Sequence, residues 1–181
     1  VSRLGKLGGK AIGLCGKDAG LLTVVKKPLT KDGVDLGFVD NIVGVNVKLL
    51  ELLSMDEYIP VIAPVGVDRD GKSYNINADT AASEIASALK AEKLMFLTDV
   101  DGIRLNAKDS STLISSISVS EINELISSGV ITGGMIPKVQ GCVRAIEQGV
   151  KRVHILDGTI PHPILLEIFT DKGIGTMVHA D

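Results

Sequence analysis

Short apolar runs closed by glycine alternate along this chain with stretches whose apolar residues return every three or four positions. The runs at 10–16 and 21–27 predict strands, the first of them buried, and the loosely alternating "LGFVDNIVGV" (36–45) predicts an extended, partly exposed segment. Residues 45–55 have helical spacing, with Asn46 in position to cap the helix. "YIPVIAPVGV" (58–67) is β-branched and predicts a strand, and "DRDG" (68–71) predicts a hairpin turn. A helix is expected up to about residue 90. The almost uninterrupted apolar run 93–100 follows, as in a parallel strand covered on both faces. Further on, the pattern predicts helices over 118–129, 133–149 and 161–170, a strand over 151–158 and a last strand at "GTMV". Strands alternating with helices in this way predict an α/β fold with a mostly parallel sheet sandwiched by helices. In such sheets ligands bind where strands end and run into helices, so the loops after residues 16, 67, 98 and 157 and the Gly-Gly before Met135 are the places to look.

Composition narrows the function classes. The 181 residues are 45% hydrophobic and 23% charged, an ordinary globular mix. A net charge of −3 without a long basic run points away from nucleic acid, and 3% aromatics is too few for a base-stacking platform. No apolar stretch reaches the length of a membrane span. Cys15 and Cys142 are far apart, and His154, His162 and His179 lack metal-ligand spacing, so no metal site is expected and the cysteines read as reduced, buried thiols. This composition suits a cytoplasmic protein. The chain opens at Val1 in mid-pattern, and an N-terminal part is expected to be missing.

Three stretches could carry chemistry. "TDVDG" (98–102) ends a strand in polar groups; it is either an Asx-turn served by Gly102 or the mouth of a site for a base or ribose. "TGGMIPKV" (132–139) puts two glycines at a helix start, where N–H groups favour an anion, and Lys138 in the first turns. A cation is unfavourable at that end of a helix unless a polyanion is present; otherwise Lys138 is an ordinary solvated lysine. The spacing is not that of a P-loop. In "SYNINADTAASEIASAL" (73–89), Asn75, Asn77 and Asp79 form one polar row if the backbone is extended. Asp79 there either caps the helix or holds a lysine ammonium, and the amides suit a carboxylate ligand.

Taken in order, "GLCGKDAGLL", "DLGFV", "PVIAPVGVDRDGKSYNINADTAA", "LTDVDGI", "GGMIPKV" and "EIFTDKGIGTMV" resemble the acetylglutamate kinases, a branch of the amino acid kinase family, over essentially the whole chain. The resemblance implies the carbamate kinase-like fold, N-terminally truncated. Residues 1–70 would be the remainder of the acetylglutamate-binding and dimerisation lobe, and 71–181 the nucleotide-binding lobe, in one compact α/β body. The implied reaction moves a phosphoryl group from ATP, with Mg²⁺ held mainly by the phosphates, to the side-chain carboxylate of N-acetyl-L-glutamate in arginine biosynthesis. That nucleophile is ionised at neutral pH and requires no general base. Catalysis then rests on alignment and positive charge.

By the same resemblance, Lys138 stabilises the moving phosphoryl group and Asp79 orients it together with a second lysine. Asn75 and Asn77 hold the amino-acid substrate. The nucleotide lies across Thr98, Asp99, Asp101, Gly102, Ile103 and Arg104 and across Val130, Ile131, Thr132, Gly133, Gly134 and Met135. "HPILLEIFTDKGIGTM" is similar to the arginine-inhibited members, which would place His162, Glu167 and Gly173 near an arginine effector; the other reading is a plain helix and strand. Lys17 and Asp18 are given a structural role. The earlier family segment with the second lysine, another Gly-Gly loop and a substrate-binding arginine is absent, so the chain alone is expected to bind nucleotide weakly and turn over little. Homo-oligomers are expected for the full-length protein, and a plastid location if the source is photosynthetic. The competing readings are a sibling carboxylate kinase and a catalytically inactive nucleotide- or effector-binding fragment.

Overall fold

The computed structural model describes residues 1–25, 41–171 and 173–181. The end of the strand expected over 21–27 and the first half of the segment expected over 36–45 lie outside them. The chain divides into two compact units, Val1–Ala88 and Leu89–Asp181. The boundary falls eighteen residues beyond the expected division at 70/71 because residues 71–88 supply a sheet strand and a helix to the first unit.

The first unit runs α1 (Ser2–Lys6), β1 (Ala11–Cys15), β2 (Leu22–Val25), β3 (Asn41–Val45), α2 (Val47–Met55), β4 (Ile59–Ala63), β5 (Val65–Val67), β6 (Ser73–Asn75) and α3 (Ala78–Ala88). β1 pairs in parallel with β4; a second sheet has the order β3-β2-β5-β6. The strand expected over 58–67 is therefore two strands in two sheets. Pro64, which has no N–H to continue a ladder, separates them. Leu21, Leu22, Val24, Leu50, Ile76 and Ala81 form the core, with Leu14, Ile62 and Ile85 packed against it. β1 is only partly buried, against the buried strand expected there. Asp18 accepts the Cys15 N–H at 2.7 Å and closes the turn after β1, a structural role. Asn46 stands at the start of α2 but does not cap it: its Nδ2 donates to the Ala19 carbonyl at 2.9 Å.

The opening of α3 differs from the expected row. The backbone is extended only through Asn75, and Ile76 turns inward at 2% exposure. Asn77 caps the helix, its Oδ1 accepting the Thr80 N–H at 3.1 Å, while half-buried Asp79 lies inside the first turn. An Asn77→Ala change is expected to cost about 1 kcal/mol of stability through the lost cap. Urea unfolding checks it; Asp79→Ala, which removes no cap, should not reproduce the loss through this route.

The second unit contains β7 (Lys93–Thr98), β8 (Ser116–Ser118), α4 (Val119–Ser127), α5 (Met135–Glu147), β9 (Arg152–Asp157), α6 (Pro163–Phe169) and β10 (Thr176–His179). Its sheet has the order β7-β9-β10-β8, with β7 parallel to β9, β10 antiparallel to β9 and β10 parallel to β8. β9 is the strand buried on both faces, through Val153, His154, Ile155 and Leu156. β7, which the apolar run cast in that role, stands at the edge of this sheet. It buries Leu94 and Phe96 and leaves Leu97 52% exposed. α5 packs across β9 and β10 through a face that buries Val139, Cys142, Ala145 and Ile146, and α6 packs on β9. Ser118 and Glu121 form the reciprocal cap of α4, and Gly129 ends it in a left-handed conformation, as its sequence predicts.

Candidate functional site

The parallel pairing of β7 with β9 brings Thr98 opposite Asp157, so both strands finish at the same edge of the sheet. The Gly158 N–H donates to the Thr98 carbonyl at 2.8 Å and ties the two exits together. Beyond them lies a pocket of about 370 Å³, large enough for part of a nucleotide-sized ligand. Its lining comes from the segment after β7 (Asp99, Val100, Asp101, Gly102, Ile103, Arg104, Ala107), from the α4–α5 connection (Val130, Ile131, Thr132), from the first residue of α5, Met135, and from Asp157.

The segment after β7 is fixed by its own polar groups. Arg104 grips Asp101 with two bonds, Nη2 to Oδ2 at 2.7 Å and Nε to Oδ1 at 3.1 Å, and Nη1 donates to the Ala107 carbonyl at 3.2 Å. The Asp101 carboxylate holds the guanidinium still more firmly protonated than usual. Thr98 Oγ1 bonds Asp99 Oδ1 at 3.1 Å. Across the pocket, Asp157 Oδ1 accepts the hydroxyl and N–H of Thr159 at 2.6 and 2.8 Å, which lowers its pKa. Three carboxylates in one lining, one neutralised by Arg104, repel phosphate and accept bonds from hydroxyl and amino groups. The apolar Val100, Val130 and Met135 offer contact surface. This end of the pocket suits a nucleoside rather than its phosphates.

The positive side lies on α5. The residue spacing puts Lys138 on the helix face that carries Met135. Its Nζ stands 5.8 Å from the centre of the Phe96 ring. The free N–H groups expected at the helix start are partly occupied: Met135 and Ile136 donate to the carbonyls of Thr132 and Gly133 at 3.4 and 3.2 Å, and Pro137 has no N–H.

The structure thus assembles most of the residues expected for the nucleotide, while Thr98, Gly133 and Gly134 stand outside the pocket lining. Val100, Ala107 and Asp157 are additions. Asp157 had a signal in the sequence, since the loop after residue 157 is a strand exit. Asn75, Asn77 and Asp79 belong to the first unit, and Lys138 to the second.

The C-terminal residues form another polar centre in the second unit. Glu167, on α6, is 5% exposed at its side chain. One oxygen bonds His154 Nδ1 at 2.7 Å, and the other accepts the N–H groups of Ile174 and Gly175 at 2.7 and 3.1 Å. Gly173, at φ 62°, passes so close that a Cβ there would overlap the Glu167 carboxylate. His162 is exposed and begins α6 with a left-handed backbone. Glu167 and Gly173 come together, and the carboxylate is directed into the fold. Among the described residues no group of three or more His, Cys, Asp or Glu could hold a metal ion, and no helix is long and apolar enough to cross a membrane.

A pocket lined by Asp99, Asp101 and Asp157 at the exits of two parallel strands is the kind of place where α/β proteins bind their ligands. The amino acid kinase family model matches residues 1–157, and the chain belongs to that family. Among curated proteins it is 60% identical, over 181 residues, to the acetylglutamate kinase of Caldicellulosiruptor saccharolyticus, covering 99% of this chain and 61% of that protein. It is 55% identical to the acetylglutamate kinase of Desulforamulus reducens, covering 100% of this chain and 63% of that one. The chain therefore spans about three fifths of these relatives. Among solved structures it resembles N-acetylglutamate synthase from Neisseria gonorrhoeae in complex with coenzyme A and N-acetyl-glutamate, at a TM-score of 0.86 and 26% identity over 99% of this chain and 40% of that one. It shares its fold with carbamate kinase from Giardia lamblia bound to AMP-PNP, at a TM-score of 0.60 and 24% identity over 79% of this chain and 46% of that one.

Proposed function

We propose that this chain is the nucleotide-binding part, with an adjoining portion of the amino-acid-binding part, of an acetylglutamate kinase. The observation that carries the reading is the 60% identity to a protein of that name along the whole of this chain. The pocket supports it by its chemistry. Its carboxylates accept the hydroxyls and amino group of a nucleoside, and its apolar residues hold the base. The phosphates are left to lie toward Lys138, where the ammonium and the start of α5 offset their charge. Mg²⁺ enters with ATP on the phosphate oxygens. Lys138 stabilises the transferring phosphoryl group. Asn75 offers an exposed amide to the α-carboxylate of N-acetyl-L-glutamate. Asn77 uses Oδ1 for its helix and keeps its NH₂ group for the same acid.

The test is kinetic, on the complete gene product that contains this sequence. ADP release from ATP should depend on N-acetyl-L-glutamate, with kcat/KM for free glutamate lower by at least about a hundredfold, since a site that hydrogen-bonds an acyl amide discriminates against the analogue that lacks it. Preference for free glutamate would move the protein to a sibling carboxylate kinase. Nucleotide binding without transfer to any carboxylate would make it an inactive binding module. The 181 residues alone are expected to bind ADP weakly and to turn over little.

A further inference from the structure

Thr176, at the start of β10, has no solvent exposure, and its hydroxyl is used twice. Oγ1 accepts the Ile103 N–H at 2.8 Å and donates to the Ile114 carbonyl at 2.6 Å. Ile103 and Gly102 both line the pocket. The same segment is closed from the other side by the Ile114 N–H, which donates to the Ile103 carbonyl at 2.9 Å, and by a bridge between Arg104 and Leu113. Gly102 adopts φ 150°, and a Cβ there would overlap Thr176 Oγ1. The backbone of the pocket wall is thus laid directly on the threonine hydroxyl, at a separation of 73 residues in sequence.

We infer that Thr176 is a positioning residue for the nucleotide pocket: its hydroxyl sets the path of Gly102 and Ile103, and through them the seat of the bound nucleoside. This rests on the reading of that pocket as the nucleotide site. A threonine is suited to the task because a single oxygen both accepts and donates. Valine has nearly the same shape but neither capacity, and would leave the Ile103 N–H and the Ile114 carbonyl without this partner in a dry region. Serine keeps both bonds.

The experiment compares Thr176→Val and Thr176→Ser with the parent in the complete gene product. ADP affinity is read by calorimetry and KM for ATP against kcat by steady-state kinetics. Thr176→Val should weaken ADP binding and raise KM for ATP by about tenfold with kcat little changed. Thr176→Ser should stay within about twofold. Equal ADP affinity in a folded Thr176→Val protein would overturn the inference. Failure of the parent to bind ADP would instead overturn the nucleotide reading on which it rests. Amide exchange on the parent tests the same point where the valine variant does not fold. The Ile103 N–H should exchange far more slowly than the exposed 105–109 loop and slow further with ADP; exchange as fast as that loop would also overturn the inference.

Discussion

Replacing Lys138 with methionine in the complete gene product is expected to lower kcat for phosphoryl transfer by about 10²- to 10³-fold, with a much smaller change in nucleotide affinity. The magnitude follows from the reaction proposed for the site. A carboxylate already carries its negative charge, so no proton has to be removed, and the barrier lies in bringing that anion to a phosphate chain. A fixed cation beside the transferring group acts where the transition state gathers charge. Methionine keeps an unbranched apolar side chain of similar length and removes the ammonium, and with it the cation that stands over the Phe96 ring. Lys138→Arg should retain part of the rate. Steady-state kinetics beside a thermal melt separates a loss of rate from a loss of fold, and a loss of less than tenfold in kcat would remove Lys138 from the role.

The second large effect falls on stability. Glu167→Ala is expected to cost about 3–5 kcal/mol, the usual result of removing one member of a buried pair and leaving its partners dry. The carboxylate joins α6 to His154 on β9 and to the N–H groups of Ile174 and Gly175 before β10, so its loss releases three elements at once. Glu167→Gln keeps an acceptor and should lose less. Burial pushes the Glu167 pKa up, but the Ile174 N–H, His154 and the Gly175 N–H outweigh it and hold the carboxyl below its ordinary value. The unfolded chain therefore takes up this proton more readily than the folded one. The stabilisation is complete above the ordinary glutamate pKa and disappears as the pH falls through the lower, folded value. Denaturant unfolding from pH 7 down to 3 should show this acid limb in the parent, and a flatter one in Glu167→Gln.

The same geometry bears on the arginine site implied by the resemblance. Both oxygens of Glu167 already have partners inside the fold, so a guanidinium would have to displace His154 or the backbone donors to reach them. Arginine inhibition in a Glu167 variant is therefore to be read only beside its melting temperature. Unchanged inhibition in a folded variant would remove Glu167 from effector binding.

The legibility of the site had a physical limit. The segment Asp99–Arg104 could be found because it leaves an apolar strand in a run of acids, and polar groups at a strand exit have few reasons to be there. The Val130–Thr132 connection was legible only through resemblance, since nothing in its local pattern marks it. Asp157 ends an equivalent strand, but the parallel register with β7 is what turns it toward the same pocket. Asn77 and Asp79 are equally good caps by residue type, and Asn77 holds that position because Ile76 must turn inward to join the core.

By itself, the sequence determined where apolar faces recur, which residues stop helices and which stretches are rich in chemistry. These are local matters, set by side-chain volume, turn geometry and the spacing of neighbours along one backbone. Tertiary structure decided that Pro64 splits one expected strand between two sheets, and that β9 rather than β7 is buried on both faces. It also decided that Glu167 finds His154, and that Thr176 meets Ile103. Such pairings join residues up to 73 positions apart. They are fixed by strand register and by the need of buried polar groups for partners, which no local window of the chain contains.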